Sequence, residues 1–313
     1  MNGRPPRTGW SMQPVESGRG RAVGTCGELV QGTVDGRELM VTFPVDWHSD
    51  VVVRGSYLPG VRVWPRSKVK VRRMCDLLLD RLVGASSADV GLDVLVSSMI
   101  PEGRGHASSS ADLTALCRAM AQWLGAPLAD DDIMRLCCEL EPSDAVCHPV
   151  PTLFDFIRGE VLLRYDDPLP MAALVLDEGG SVDTVTMRRL PFTEAESERL
   201  ALAFDLVDRG FRLGDLALVG RAATISAEVN QRRAYKRNFD VARKVADACG
   251  SYGVSVAHSG TTLALLFDRH EVERVRVAAA ALRTFAADCE LFLLNAVVPT
   301  RRPAPDLTEP SRR

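Results

Sequence analysis

Residues 99–112 read Met-Ile-Pro-Glu-Gly-Arg-Gly-His-Ala-Ser-Ser-Ser-Ala-Asp, and the residue types in this stretch suit an anion. Gly103 and Gly105 let the backbone come close to a phosphate with no Cβ in the way. Ser108, Ser109 and Ser110 stand at the expected start of a helix, where free N–H groups point outward and the helix dipole favours negative charge. These serines can cap that helix, and a hydroxyl is also a ligand for Mg2+. An ordinary Gly/Ser loop with a capped helix has the same composition, so both readings stay open on the loop alone. It is not a Walker A loop, since no Gly-Lys-Ser/Thr occurs in it, and it lacks the third glycine of a Rossmann fingerprint.

Acids form the second set of candidates. Glu141-Pro142-Ser143-Asp144 follows an expected helix over Asp130–Leu140. Carboxylates at a helix exit face a repelling dipole, which marks the place as either functional or a solvated loop. Glu28 and Asp46 stand at strand ends, with His48 two residues beyond Asp46. His148 and His258 form no metal set with their neighbours in sequence.

The elements that must position these residues follow from periodicity. Val90, Leu92, Val94 and Val96 alternate through an expected strand over 89–98, and Leu113, Leu116, Cys117, Met120 and Leu124 share one face of a helix over 108–124. Two strands, 27–34 and 37–45, meet at Asp35-Gly36, a favoured hairpin turn. Residues 50–55 and 61–64 extend the sheet, 68–83 reads as a helix, and 152–157 with 160–165 as a hairpin. Asp166-Asp-Pro-Leu-Pro170 reads as a boundary. Beyond it come a strand at 171–176, a helix opened by the capping box Thr193-Glu-Ala-Glu196, helices over 215–229 and 239–249, strands at 254–257 and 262–267, a helix over 271–286 and a last strand at 291–298. The order β, three helices, ββ, α, β suits an α+β layer on a split βαβ. Residues 1–20 and 300–313 read as loose tails.

Composition sets the outer bounds. With 313 residues, 46% hydrophobic and 25% charged, the sequence is that of an ordinary globular protein of one large or two modest domains. A formal net charge of −3 gives no electrostatic case for nucleic acid. No apolar run reaches membrane-spanning length, and residues 1–21 have no apolar core of a secretory signal. Eight scattered cysteines, most of them in apolar runs, read as buried free thiols in a reducing cytoplasm.

Three separated motifs resemble those of one superfamily. Pro101-x-x-x-Gly105-x-x-Ser108-Ser109 resembles the phosphate loop of the kinases named for galactokinase, homoserine kinase, mevalonate kinase and phosphomevalonate kinase, the GHMP kinases. Ser143-Asp144 resembles their active-site aspartate segment. His258-Ser-Gly-Thr261 resembles their C-terminal Gly-rich loop, its usual glycines reduced to Gly260. Longer matches resemble the L-threonine kinases of cobalamin assembly: Thr25-Cys-Gly-Glu-Leu-Val-Gln-Gly32, Pro44-Val-Asp-Trp47, Ala107-Ser-Ser-Ser-Ala-Asp112, Leu140-Glu-Pro-Ser-Asp144 and Ala257-His-Ser-Gly-Thr261. His106 departs from the usual apolar residue, and Pro65–Lys70 is the candidate for the adenine side.

The resemblance implies an α+β, two-domain GHMP kinase fold, with an S5-like α/β domain over 21–166 and a ferredoxin-like α+β domain over 167–299. It implies a cytoplasmic ATP:L-threonine O-phosphotransferase using ATP and Mg2+, acting on a small molecule, with no nucleic acid or membrane partner. Pro101, Gly103, Arg104, Gly105, His106, Ala107, Ser108, Ser109 and Ser110 would cradle the nucleotide phosphates, and Ser259, Gly260 and Thr261 would close over them. Arg104 would offset phosphate charge or simply lie on the surface. Ser109 and Glu141 would hold Mg2+, with Glu139 the alternative carboxylate. Asp144 would take the proton of the substrate hydroxyl. Glu28, Asp46 and His48 fall on the substrate side, Glu28 for the ammonium and His48 or a backbone N–H for the carboxylate. A kinase for a related hydroxy amino acid or specialised metabolite, and a catalytically silent nucleotide-binding partner protein, are the alternatives. Oligomeric state is open, a homodimer among the options.

Overall fold

The computed structural model describes residues 16–167, 169–180 and 190–297; of the expected tails over 1–20 and 300–313, residues 1–15 and 300–313 lie outside these residues. Strands β1 (Ser17–Val34) and β2 (Arg37–Gly55) pair antiparallel. The turn between them, Asp35-Gly36, has positive φ at both residues, 50° and 72°, as a two-residue hairpin requires. β1 starts ahead of Arg21, where order was expected to begin. The reason is packing: a Cβ on Gly18 or Gly20 would stand 2.0 or 1.9 Å from the carbonyl oxygens of Ala119 and Ala115 in helix α2 (Ser108–Leu124). Glycines that resemble a disordered tail in composition instead let a helix lie directly on the strand.

The chain continues through β3 (Val61–Trp64), α1 (Val69–Leu78) with a wider final turn to Val83, β4 (Leu92–Ser98), α2, α3 (Asp130–Leu140), β5 (Thr152–Asp155) and β6 (Glu160–Arg164). It then adds β7 (Met171–Asp177), α4 (Glu194–Leu213), α5 (Leu216–Asn230), α6 (Phe239–Cys249), β8 (Gly253–Val256), β9 (Thr262–Asp268), α7 (Val272–Phe285) and β10 (Glu290–Asn295). Local chemistry sets the helix starts. Thr193 and Glu196 form the expected capping box on α4, and the Asp215 carboxylate accepts from the N–H groups of Ala217 and Leu218 on α5.

Among the described residues ten strands make one sheet in the order β10-β7-β9-β8-β1-β2-β4-β3, with β5 on β2 and β6 on β5. The two halves meet where Glu28 of β1 pairs with Val256 of β8. β1 is free to do so because its register with β2 slips between Thr25 and Glu28. Gly27 sits in that irregularity at φ 63°, 2.9 Å from Ala257 N if it carried a Cβ.

Three clusters of buried residues hold the layers together. Met74, Leu78, Leu113, Leu116 and Ile133 bind α1, α2 and α3 to β2 and β4. Leu29, Phe43, Val207, Phe211 and Val219 join α4 and α5 to β1 and β2. Phe239, Leu265, Phe267 and Leu282 seat α6 and α7 on β9. All eight cysteines are free thiols, five of them buried. Among the described residues no helix is long and apolar enough to cross a membrane.

Candidate active site

Between β4 and α2 the loop turns through positive φ at Gly103 (71°), Gly105 (93°) and Ala107 (59°). Ala107 is the residue before the helix, and no side chain caps it. The expectation that Ser108–Ser110 cap α2 is therefore corrected: all three serines lie inside the first turn. The first N–H groups of the helix are left for an external acceptor, and the hydroxyls reach other partners.

Those partners line a cavity of about 600 Å³. Its walls are the phosphate loop from Gly103 to Ser110, the α3 exit from Leu140 to Asp144, Glu28 from β1, and His258 with Ser259 from the β8–β9 loop. Ser109 Oγ donates to Glu141 Oε1 at 2.5 Å, and the Lys70 ammonium pairs with the other Glu141 oxygen. Ser110 Oγ donates to Asp144 Oδ2 at 3.2 Å and accepts from the Asp144 N–H at 3.0 Å. The serines thus hold the two acids of the α3 exit in place.

Glu28 and Asp144 are hydrogen-bonded to each other. Glu28 is 4% exposed and its Oε2 accepts from His258 N at 2.5 Å. Burial, then the Asp144 charge, push the Glu28 carboxyl well above the usual range, against the pull of His258 N–H and of Lys236. Burial also raises Asp144, while hydrogen bonds from Glu28 and Ser110 hold it back. Both carboxyls of the pair are thus raised, Glu28 well above its usual range, with burial the leading cause for each. Lys236 behind Glu28 is itself 3% exposed, and burial pulls its pKa down.

The other expected residues divide clearly. His106 lines the cavity but is 1% exposed. Its Nδ1 bonds Thr25 O at 3.0 Å, and its ring packs edge-on to Trp47 at 5.1 Å and tilted to Phe292 at 5.8 Å. Burial pulls its pKa down, so it fills the usual apolar place as a neutral ring. Arg104 turns away from the cavity and pairs with Asp177 and Glu290. Gly260 packs on the Arg104–Gly105 backbone, and Thr261 bonds Asp177. Glu139 is paired with Arg81 on the surface, which leaves Glu141 as the carboxylate beside Ser109.

Asp46 and His48 are not brought to the cavity. The β1–β2 register slips so that Val23 faces His48 and Gly24 faces Val45. Asp46 and Trp47 form this bulge and leave the ladder, Asp46 accepting from Asn295 N and Nδ2 at 3.3 Å, while His48 stays opposite Val23 and pairs with Asp50. The same bulge delivers Trp47 to the His106 ring. In sequence Lys70 stands only in the Pro65–Lys70 candidate for the adenine side, because nothing links it to Glu141 until α1 lies beside the α3 exit. A further cavity of about 260 Å³, lined by Ser67–Val71 and Asp112, adjoins Gly103, Ser108 and Ser109.

Among the described residues no group of three or more His, Cys, Asp or Glu is gathered for a metal. The donor set that does exist, one carboxylate beside one hydroxyl at a helix start, fits a hard cation whose remaining ligands are phosphate oxygens and water.

An anion-cradling loop, a hydroxyl–carboxylate pair and a buried aspartate in one cavity are the parts of a phosphoryl-transfer site. The family model described as GHMP kinases N terminal domain matches residues 70–150, and that described as GHMP kinases C terminal matches 207–282. The chain belongs to the GHMP kinase family and is a kinase. It is 34% identical to the L-threonine kinase of Salmonella typhimurium over 257 residues, 80% of this chain and 84% of that one. It is 33% identical to the L-threonine kinase of Citrobacter freundii over 258 residues, 80% of this chain and 88% of that one. The solved homoserine kinase from Cytophaga hutchinsonii has the same fold, with a TM-score of 0.71, 18% identity, and 92% and 98% of the two chains covered.

Proposed function

We propose that this chain transfers the γ-phosphoryl group of ATP to the side-chain hydroxyl of L-threonine, giving O-phospho-L-threonine and ADP. The observation that carries the reading is the convergence of Ser109, Glu141, Asp144 and Glu28 on one cavity beside the phosphate loop. The L-threonine kinases of the two enterobacterial relatives support the choice of substrate.

Phosphoryl transfer asks a protein for position and electrostatics more than for covalent chemistry. N–H groups of the first α2 turn receive phosphate oxygens, and the positive-φ glycines let the loop follow them. Ser109 and Glu141 hold Mg2+, which neutralises charge on the transferring group when bound. Lys70 supplies a further cation at the same carboxylate. Asp144, ionised and fixed by both hydrogen bonds to Ser110, accepts the proton of the substrate hydroxyl. Glu28 meets the substrate ammonium, and the arriving positive charge favours the ionised form of its raised carboxyl. His258 and Ser259 close the opposite wall. An ATP-dependent enzyme of this kind with free thiols works in the cytoplasm.

The test is direct: purified protein, Mg-ATP and each of the twenty amino acids, with ADP formation measured and the product identified by phosphorus NMR. ADP and O-phosphothreonine from L-threonine are expected, with L-serine a measurable but poorer substrate. Absence of ATP binding by calorimetry with Mg2+ present would sink the reading.

A further inference from the structure

We propose that Asp177 is a positioning residue which, through Arg104 and Thr261, locks the phosphate loop to the β8–β9 loop and thereby sets how tightly Mg-ATP is held. The inference rests on the nucleotide reading above.

Asp177 ends β7 and is 1% exposed. Its Oδ2 accepts from Arg104 Nη1 at 2.6 Å, and its Oδ1 accepts from Thr261 Oγ1 at 2.7 Å and Gly179 N at 2.9 Å. One buried carboxylate thus takes one side chain from each of the two loops that wall the cavity. The main chain repeats the link, since Arg104 O accepts from Thr261 N at 3.2 Å and from Thr262 Oγ1 at 3.1 Å. The seam is close enough to exclude side chains: a Cβ on Gly260 would lie 2.4 Å from Gly105 N, and one on Gly105 would lie 2.3 Å from Ala257 Cβ. Burial pushes the Asp177 carboxyl up, but Arg104, Thr261 and Gly179 outweigh it and leave it below the usual range. A buried carboxylate needs such partners, and a charge-assisted bond to guanidinium is the strongest of them.

The guanidinium is therefore engaged away from the phosphates. Its second partner, Glu290, is exposed and adds little. Arg104 acts on ATP through loop position.

Five variants decide the matter: Arg104→Met, Asp177→Asn, the Arg104→Met/Asp177→Asn double variant, Arg104→Lys, and Glu290→Gln. Mg-ATP affinity is read by calorimetry, and KM for ATP and for L-threonine by steady-state rates. Displacement of a positioned group by about 1 Å can cost 100-fold. Each of the first two variants is expected to weaken Mg-ATP binding roughly tenfold while KM for L-threonine moves less than about threefold. The double variant should be no worse than the poorer single, because both remove one link. Arg104→Lys should recover part of the loss, and Glu290→Gln should resemble wild type. Should Asp177→Asn fold poorly, Thr261→Val cuts a single hydrogen bond and should give a smaller shift of the same kind. Arg104→Met weak with Asp177→Asn normal would make Arg104 a phosphate ligand and overturn the proposal. Additive losses, or lowered thermal stability with unchanged ATP affinity, would overturn it too. A wild-type protein that binds no Mg-ATP would remove the kinase reading itself, an outcome distinct from failure of the variants alone.

Discussion

Ser109 donates its hydroxyl hydrogen to Glu141 over 2.5 Å, although the two residues are 32 apart in sequence. The contact joins the first turn of α2 to the residue that leaves α3, and it puts the two hard oxygen donors of the cavity side by side. Both are available because Ala107, not a serine, precedes α2.

Removal of either donor should weaken use of Mg2+. Ser109→Ala and Glu141→Gln are each expected to raise the Mg2+ concentration giving half-maximal rate by roughly tenfold or more, on the scale seen when metal sites lose a supporting group. A Mg2+ titration at fixed ATP checks this. Unchanged curves for both variants would place the metal elsewhere.

Asp144→Asn keeps size and hydrogen bonding but removes the proton acceptor. Loss of a general base costs on the order of 10²–10⁴ in rate, while calorimetric ATP affinity should stay near wild type. Retention of more than about a tenth of wild-type turnover would be outside that range and would exclude Asp144 as the base.

Glu28→Gln separates stability from function. The folded-state pKa of Glu28 stands well above the ordinary 4.5. The folded protein holds a proton there that the unfolded chain releases as pH rises past that value. Wild-type stability therefore declines as pH climbs from the ordinary carboxylate range through the raised one. Glutamine has no such proton, so the melting temperature of the variant relative to wild type should rise as pH climbs above the ordinary carboxylate range. KM for L-threonine should increase and ATP affinity should not. A pH-independent difference would show that Glu28 is ionised in the folded protein.

Gly105→Ala tests the seam between the loops. At φ 93° an alanine is strained, and its Cβ would meet Ala257 Cβ at 2.3 Å and Ser259 O at 2.7 Å. Strain of this kind costs on the order of 1–3 kcal/mol. Thermal stability should fall by at least a few degrees, and Mg-ATP binding should weaken with it. Wild-type behaviour in both measurements would mean that the loops stand further apart.

Substrate choice is read from kcat/KM on L-threonine, L-serine, L-homoserine and D-threonine. A pocket that fits the threonine methyl gains roughly 10–200-fold over serine. Homoserine carries its hydroxyl one carbon farther from the ammonium, out of line with Asp144, and displacement of about 1 Å can cost 100-fold. D-Threonine turns its ammonium away from Glu28. Homoserine equal to or better than L-threonine would overturn the assignment.

Much of the fold was legible along the chain because it depends on local periodicity. The helices over 108–124, 130–140 and 239–249 and the Asp35-Gly36 hairpin appear where their patterns place them. The start of β1 was not, since Gly18 and Gly20 look like a loose tail until α2 is laid over them.

The candidate site divides along the same line. The sequence by itself picked out the loop, Glu141, Asp144 and Glu28 through residue type and resemblance to family motifs, and the structure gathers them around one cavity. Only the tertiary structure decided which of the acids act together. It kept Asp46 from the cavity through a bulge in β2 and His48 through its place opposite Val23 and its pairing with Asp50, turned Arg104 to Asp177, and brought Lys70 to Glu141. Each of these outcomes depends on distances between residues far apart in the chain. Such distances are set by strand register and by the seating of helices on the sheet, which no short stretch of sequence contains.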